Sequence, residues 1–258
     1  MDKSGRLAEV HLAFVFLTRL PLPRLSEAAA ATPLGRAAWA FPLVGAVVGL
    51  VSAIALHLAH LLDLPDAAAV LVALAAGLWV TGALHEDGLA DVADGFGGGA
   101  DKERKLAIMR DSRIGSYGVL ALILAIGLRW SAVLAVLQTA GVEAASAALV
   151  VAGALSRAAI PLGMVLLEPA RADGLGAAAG RAAAPAVAAG VGLAAAAAWA
   201  VLPGSALAPL FAVVLMAVLA VAGLARRHIG GYTGDVLGTV EQAAATTALL
   251  ALAAIAGD

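Results

Sequence analysis

From Ala67 to Gly99 the chain reads AAAVLVALAAGLWVTGALHEDGLADVADGFGGG. Its first half is apolar and near the ~20 residues that cross a bilayer. Its second half holds Glu86, Asp87, Asp91 and Asp94. An apolar run that ends in four carboxylates predicts a membrane helix with an acidic segment at its mouth. Read at about 100° per residue, Asp87, Asp91 and Asp94 stand at i, i+4 and i+7, within an arc of roughly 60° on one helical face. Glu86 lies off that face. Three carboxylates on one face repel unless a cation sits among them. Mg²⁺ is the natural candidate, because it takes oxygen ligands and keeps positions open for substrate phosphates. The plainer reading is a solvated acidic loop with no ligand.

The rest of the chain is poor in charge. Of 258 residues, 62% are apolar and 13% charged, and the mean hydropathy is +0.98. A soluble domain carries about a quarter charged residues. The expected fold class is therefore all-α, a polytopic membrane helix bundle in which residues 1–258 form one integral unit. There is no cysteine, which excludes disulfides and thiolate metal sites. A net charge of −2 does not suggest nucleic-acid binding. The start of the chain is a poor cleavable signal peptide.

Seven apolar runs predict about seven spans: Ala37–Leu62, Ala67–Leu84, Tyr117–Leu137, Ala144–Leu167, Pro185–Leu202, Leu207–Leu224 and Val240–Ile255. Gly45, Gly49, Gly190 and Gly192 are expected at helix–helix contacts. Residues 1–35 are read as an interfacial or re-entrant helix stopped by Pro21 and Pro23. Every Lys and Arg except Arg129 and Arg157 falls before the first span or after the second, fourth and sixth. The positive-inside rule then places the N-terminus, the acidic motif and the basic helix (residues 85–116), and a Gly-rich loop (residues 226–239), in the cytoplasm.

That side collects the candidate chemistry. Asp91, Asp94 and Asp235 are the candidate catalytic residues, with Glu86, Asp87, Asp91 and Asp94 around the metal. Asp101 is placed to cap a short basic helix. Arg110, Ser112 and Arg113 are candidates to grip phosphate oxygens, as are Arg19 and Thr233. Attraction to anionic lipid is the alternative for the arginines. Arg157, in mid-span, is expected to face the bundle interior and pair with an acid or reach a phosphate. Arg129 is expected to snorkel in the outer half of its span. The scattered histidines are read as packing residues. Metal, phosphate donors and a carboxylate base on one side of a membrane bundle favour a membrane phosphotransferase.

FLTRLPLP (16–23), HEDGLADVADG (85–95), ERKLAIMRDSRIGSYG (103–118), SRA (156–158) and GYTGDVLG (231–238) together resemble the cobalamin synthase family, the adenosylcobinamide-GDP ribazoletransferases. The resemblance covers most of the chain in the family's order; within Glu168–Pro203 only DGLG (173–176) matches. It implies Mg²⁺ dependence and a place in the bacterial inner membrane. It also implies transfer of the cobinamide-phosphate moiety of adenosylcobinamide-GDP to α-ribazole or its 5′-phosphate, with GMP released. Residues Asp87, Asp91 and Asp94 would then ligate metal, with Asp235 as a further ligand or base. Two rivals stand beside this. A CDP-alcohol-type phospholipid synthase would need DGxxAR, and Asp91 and Val92 stand where Ala-Arg belongs. A cation-coupled transporter would keep its acids near the midplane, and no inverted repeat is evident.

Overall fold

The expected span Ala67–Leu84 stops short, at an elbow. Gly82 (φ 62°) and Ala83 (φ 56°) are both left-handed, and the helix axis turns by 90° across them. Gly82 makes this an ordinary helix end. Ala83 holds the same region against its Cβ, which marks a local cost. In the computed structural model, which describes residues 3–172, 174 and 179–257, the elements are these. Helix α1 is Lys3–Leu17, α2 Glu27–Ala30, then a 3₁₀ turn Leu34–Ala40, α3 Phe41–Leu61, α4 Asp66–Thr81, α5 Leu84–Gly98 and α6 Lys102–Ile108. Then follow α7 Ser116–Leu166, α8 Ala184–Trp199, α9 Gly204–Ile229 and α10 Gly234–Gly257. Asp173 and most of the DGLG match lie outside the described residues.

The protein is all-helical among these residues and reads as a polytopic membrane bundle. Four of the described helices are long and apolar enough to cross a bilayer, five if the bent α4–α5 pair is one span. Each of the seven apolar runs overlaps a helix, but only four or five of the described helices meet the length and apolarity of a span, not seven. Two of them merge into α7, whose 51 residues would reach ~76 Å if straight. Gly141, at φ 85° and ψ 176°, breaks it into two arms. Leu61, Leu62, Trp79 and Trp199 stand exposed on the outside, a disposition that suits lipid and its interfaces rather than water.

Glycine sets the closest approach. A Cβ on Gly45 would strike the carbonyl of Gly153, and one on Gly49 the carbonyl of Leu149. Thus α3 and the second arm of α7 pack backbone to backbone. Gly190 also meets a neighbour, the backbone of Ala38 and Trp39. Gly192 does not, having open space around it, so that expectation fails.

The N-terminal segment is strapped to the bundle. Buried Glu9 accepts from Trp39 Nε1 at 2.8 Å and pairs with Arg36 at 3.2 Å. Helix α1 ends at Leu17, before the prolines that were expected to stop it. There Thr18 Oγ1 donates to the Phe14 carbonyl at 2.7 Å, and Arg19 N–H donates to Val80 O at 2.7 Å. The chain therefore turns onto the α4–α5 elbow. The expected Gly-rich loop over residues 226–239 is also shorter than read. Helix α9 runs to Ile229 and α10 starts at Gly234, because Gly230 (φ 78°) ends one and Thr233 begins the other. Gly153→Val should lower the stability of the detergent-solubilised protein by about 3 kcal/mol, the upper end for overpacking, since backbone cannot yield. Thermal unfolding against Gly192→Val, which should change little, checks it.

Candidate active site at one mouth of the bundle

Helix α5 crosses the start of α10 at two glycines. A Cβ on Gly88 would come within 2.9 Å of Asp235 Cα, and one on Gly238 within 3.3 Å of His85 Cα. Thr239 Oγ1 donates to the Gly88 carbonyl at 3.3 Å and locks the crossing. This contact sets Asp235 among the acids of α5. Asp91 feels the charges of Asp235, Asp87 and Asp94, and its carboxyl is pushed up to about 7, first by burial and then by those neighbours. Helix α5 is by itself too short and acidic to be a span, and follows α4 across a 90° bend. Among the described residues no group of three or more His, Asp or Glu is placed to hold a metal ion by itself. Mg²⁺ rarely needs one, since it takes one or two carboxylates together with substrate phosphates. The oxygen-only donor set and the mutual repulsion around Asp91 fit such an ion.

Two cavities meet at Asp87. One, of about 180 Å³, is walled by Phe41, Ile160, Met164 and Leu237 and carries His85, Asp87, Arg171 and Asp235. The other is an open cleft of about 640 Å³ edged by Thr18, Arg19, Asp87 and Ile114. Arg171 reaches Asp235 at 4.0 Å. It is carried there by the backbone of residues 168–170, where Tyr232 N–H donates to Glu168 O and Ala170 N–H to Tyr232 O, each at 2.8 Å.

Several expected site residues have other tasks. Asp94 does not face an open metal position: its Oδ2 accepts from Gly115 N–H at 2.7 Å and its Oδ1 from Gly118 N–H at 2.9 Å. It caps the N-terminus of α7, where unpaired N–H groups and the helix dipole favour a carboxylate. Glu86 points into the bundle, not the metal face. Its Oε1 accepts from Arg129 at 3.2 Å and Gln242 at 2.8 Å. Arg129 therefore does not snorkel; its charge is met inside. Arg157 faces the interior as expected and pairs with Glu241 at 2.6 Å rather than with a phosphate. Thr233 is buried and donates to Asp235 Oδ2 at 3.0 Å, so it orients that carboxylate instead of touching substrate. Arg113 is held by Asp111 at 2.6 Å, and neither it nor Arg110 nor Ser112 lines the two cavities. Asp101 caps α6 through Arg104 N–H at 2.8 Å, as its position implied. His228 packs, stacked on Phe96 at 4.5 Å. Arg171 and Gln242 carry parts of the site that the sequence did not single out, whereas Gly238 lies in the GYTGDVLG motif. A Glu-Gln pair inside an apolar helix was the available signal.

A family profile described as cobalamin-5-phosphate synthase matches residues 9–253. The chain belongs to that family. It is 47% identical to the adenosylcobinamide-GDP ribazoletransferase of Bradyrhizobium diazoefficiens, over 96% of this chain and 94% of the relative. It is 49% identical to the protein of that name from Xanthobacter autotrophicus, over 92% of each. Its identity to the one from Azorhizobium caulinodans is 47%, over 94% of each. No solved structure matches. In this member of the cobalamin-5-phosphate synthase family, the buried ions form a matched set, two arginines facing two glutamates. Arg129→Leu would strand Glu86 and should cost about 3–5 kcal/mol, whereas Arg129→Leu with Glu86→Leu should regain most of it. Thermal unfolding in detergent reads both.

Proposed function

We propose that this protein is an Mg²⁺-dependent adenosylcobinamide-GDP ribazoletransferase. It acts late in cobalamin biosynthesis, in the bacterial inner membrane, with its active site on the cytoplasmic side. Family membership supports the reaction. The observation that carries the mechanism is the α5–α10 crossing, which brings Asp235 into one cavity with Asp87, where the two cavities meet, with Asp91 one turn further along α5. The charge partition between loops supports the orientation.

In the reaction, a hydroxyl of α-ribazole, or of its 5′-phosphate, attacks the phosphorus bonded to cobinamide. The new P–O bond forms as the bond to the GMP phosphate breaks. The products are adenosylcobalamin, or its 5′-phosphate, and GMP, with one proton released. Asp87 and Asp91 would hold Mg²⁺. When bound, the ion supplies neutralisation of the diphosphate and of the leaving GMP. Arg19, at the rim of the open cleft, is placed to steady diphosphate oxygens. Asp235, kept in orientation by Thr233, takes the hydroxyl proton. Asp94 fixes α7 to α5.

Membranes containing the protein should release GMP from adenosylcobinamide-GDP only when α-ribazole and Mg²⁺ are both present, and EDTA should stop the release. Asp91→Asn should lower turnover by about a hundredfold or more, the scale of losing one charged group at a transferring phosphoryl centre. Its membrane insertion should be unchanged. Near-normal turnover of Asp91→Asn with Mg²⁺ would remove the assignment.

A further inference from the structure

We propose that the two cavities divide the substrates. The smaller one, between α1, α5, α7 and α10, is the pocket for the aromatic base of the acceptor nucleoside. The open cleft at the elbow takes the corrinoid-bearing donor. This rests on the transferase reading above and deepens it.

Size decides the first part. A cavity of about 180 Å³ cannot admit a corrin macrocycle, while the open cleft of about 640 Å³ has room at its solvent side. Lining decides the second. Leu34, Phe41, Leu84, Ile160, Met164 and Leu237 make the wall of the small pocket. A flat apolar bicyclic ring is stabilised against such a wall, and a purine with polar edges loses hydrogen bonds there. His85 lies against this wall, apart from the charged groups at the pocket's other end. His85 is 3% exposed, and neither ring nitrogen has a hydrogen bond, although Nδ1 lies 3.6 Å from Glu241 Oε2 in a longer ion-pair contact. It offers the base's unsubstituted ring nitrogen a partner. The pocket's charged end carries Asp87 and Asp235, with Arg171 4.0 Å from Asp235. A nucleoside seated with its base on Met164 and Ile160 therefore presents its sugar hydroxyls to Asp235. Asp87 is shared by the pocket and the cleft, so the hydroxyl and the diphosphate approach one carboxylate from two sides. That is the geometry a displacement between two bulky reactants requires.

Leu34→Trp and Ile114→Trp separate the two sites, since Leu34 lines only the small pocket and Ile114 only the cleft. Leu34→Trp should raise the KM for α-ribazole at least tenfold and leave that for adenosylcobinamide-GDP within twofold. Ile114→Trp should do the reverse. Equilibrium dialysis of α-ribazole alone should show wild-type binding weakened at least tenfold by Leu34→Trp, and adenosine bound at least tenfold more weakly than α-ribazole. Should Leu34→Trp fail to fold, Met164→Ala replaces it. That variant should shift the KM ratio at least fivefold in favour of a tricyclic naphthimidazole riboside. A wild type that makes no GMP defeats the transferase reading. A wild type that turns over while Leu34→Trp raises both KM values equally, or neither, overturns the pocket assignment alone. An unshifted ratio in Met164→Ala, or equal binding of adenosine, does the same.

Discussion

Everything at the mouth depends on one close approach, the backbone of Gly88 against the backbone of Asp235. A side chain at Gly88 would push α5 from α10. Asp235 would then leave the company of Asp87 and Asp91. The acids are crowded because the helices are. Packing that excludes bulk creates a concentration of negative charge, and burial sharpens it, as the raised carboxyl of Asp91 shows. In the proposed mechanism a divalent ion arriving with the substrate phosphates relieves this crowding.

Behind the acids lies a compensated interior. Glu86, Arg129, Gln242, Glu241 and Arg157 join α5, both arms of α7, and α10 within the apolar bundle. Isolated, each ion would be expensive at that depth. Paired, they fix rotation and depth of α5, because a slip of one residue on the helix would leave a charge unmet. Glu86 and Asp87 are neighbours with opposite duties. One anchors the helix inward, and the other faces the site. The Asp94 cap does the same at the far end of α5, tying it to α7 through Gly115 and Gly118.

Much of this was legible in the sequence. The apolar runs gave the helices, because length and composition alone govern that signal. The i, i+4, i+7 spacing gave a helical acidic face, and Asp101 announced α6. What spacing could not reveal was the identity of tertiary partners. Asp94 shares a helical face with Asp87 and Asp91, yet two N–H groups more than twenty residues away claim its oxygens. Arg129 looked like a snorkelling anchor because nothing local opposes it; its partner Glu86 is distant in sequence. The elbow was hidden too, since Ala83 is not a residue that announces a left-handed turn. Arg171 reaches Asp235 only through a backbone bridge between Pro169 and Tyr232, which no side-chain pattern encodes.

The proposed mechanism stands or falls on divalent metal binding between α5 and α10. Replacing Mg²⁺ with Fe²⁺ and adding ascorbate and peroxide, in the presence of adenosylcobinamide-GDP, would generate radicals that cut the chain nearest the metal. Mapping the fragments should show cuts in two separate stretches, around Asp87–Asp91 and around Asp235, both suppressed by excess Mg²⁺. Cleavage confined to α5, or cuts that ignore Mg²⁺, would contradict the account.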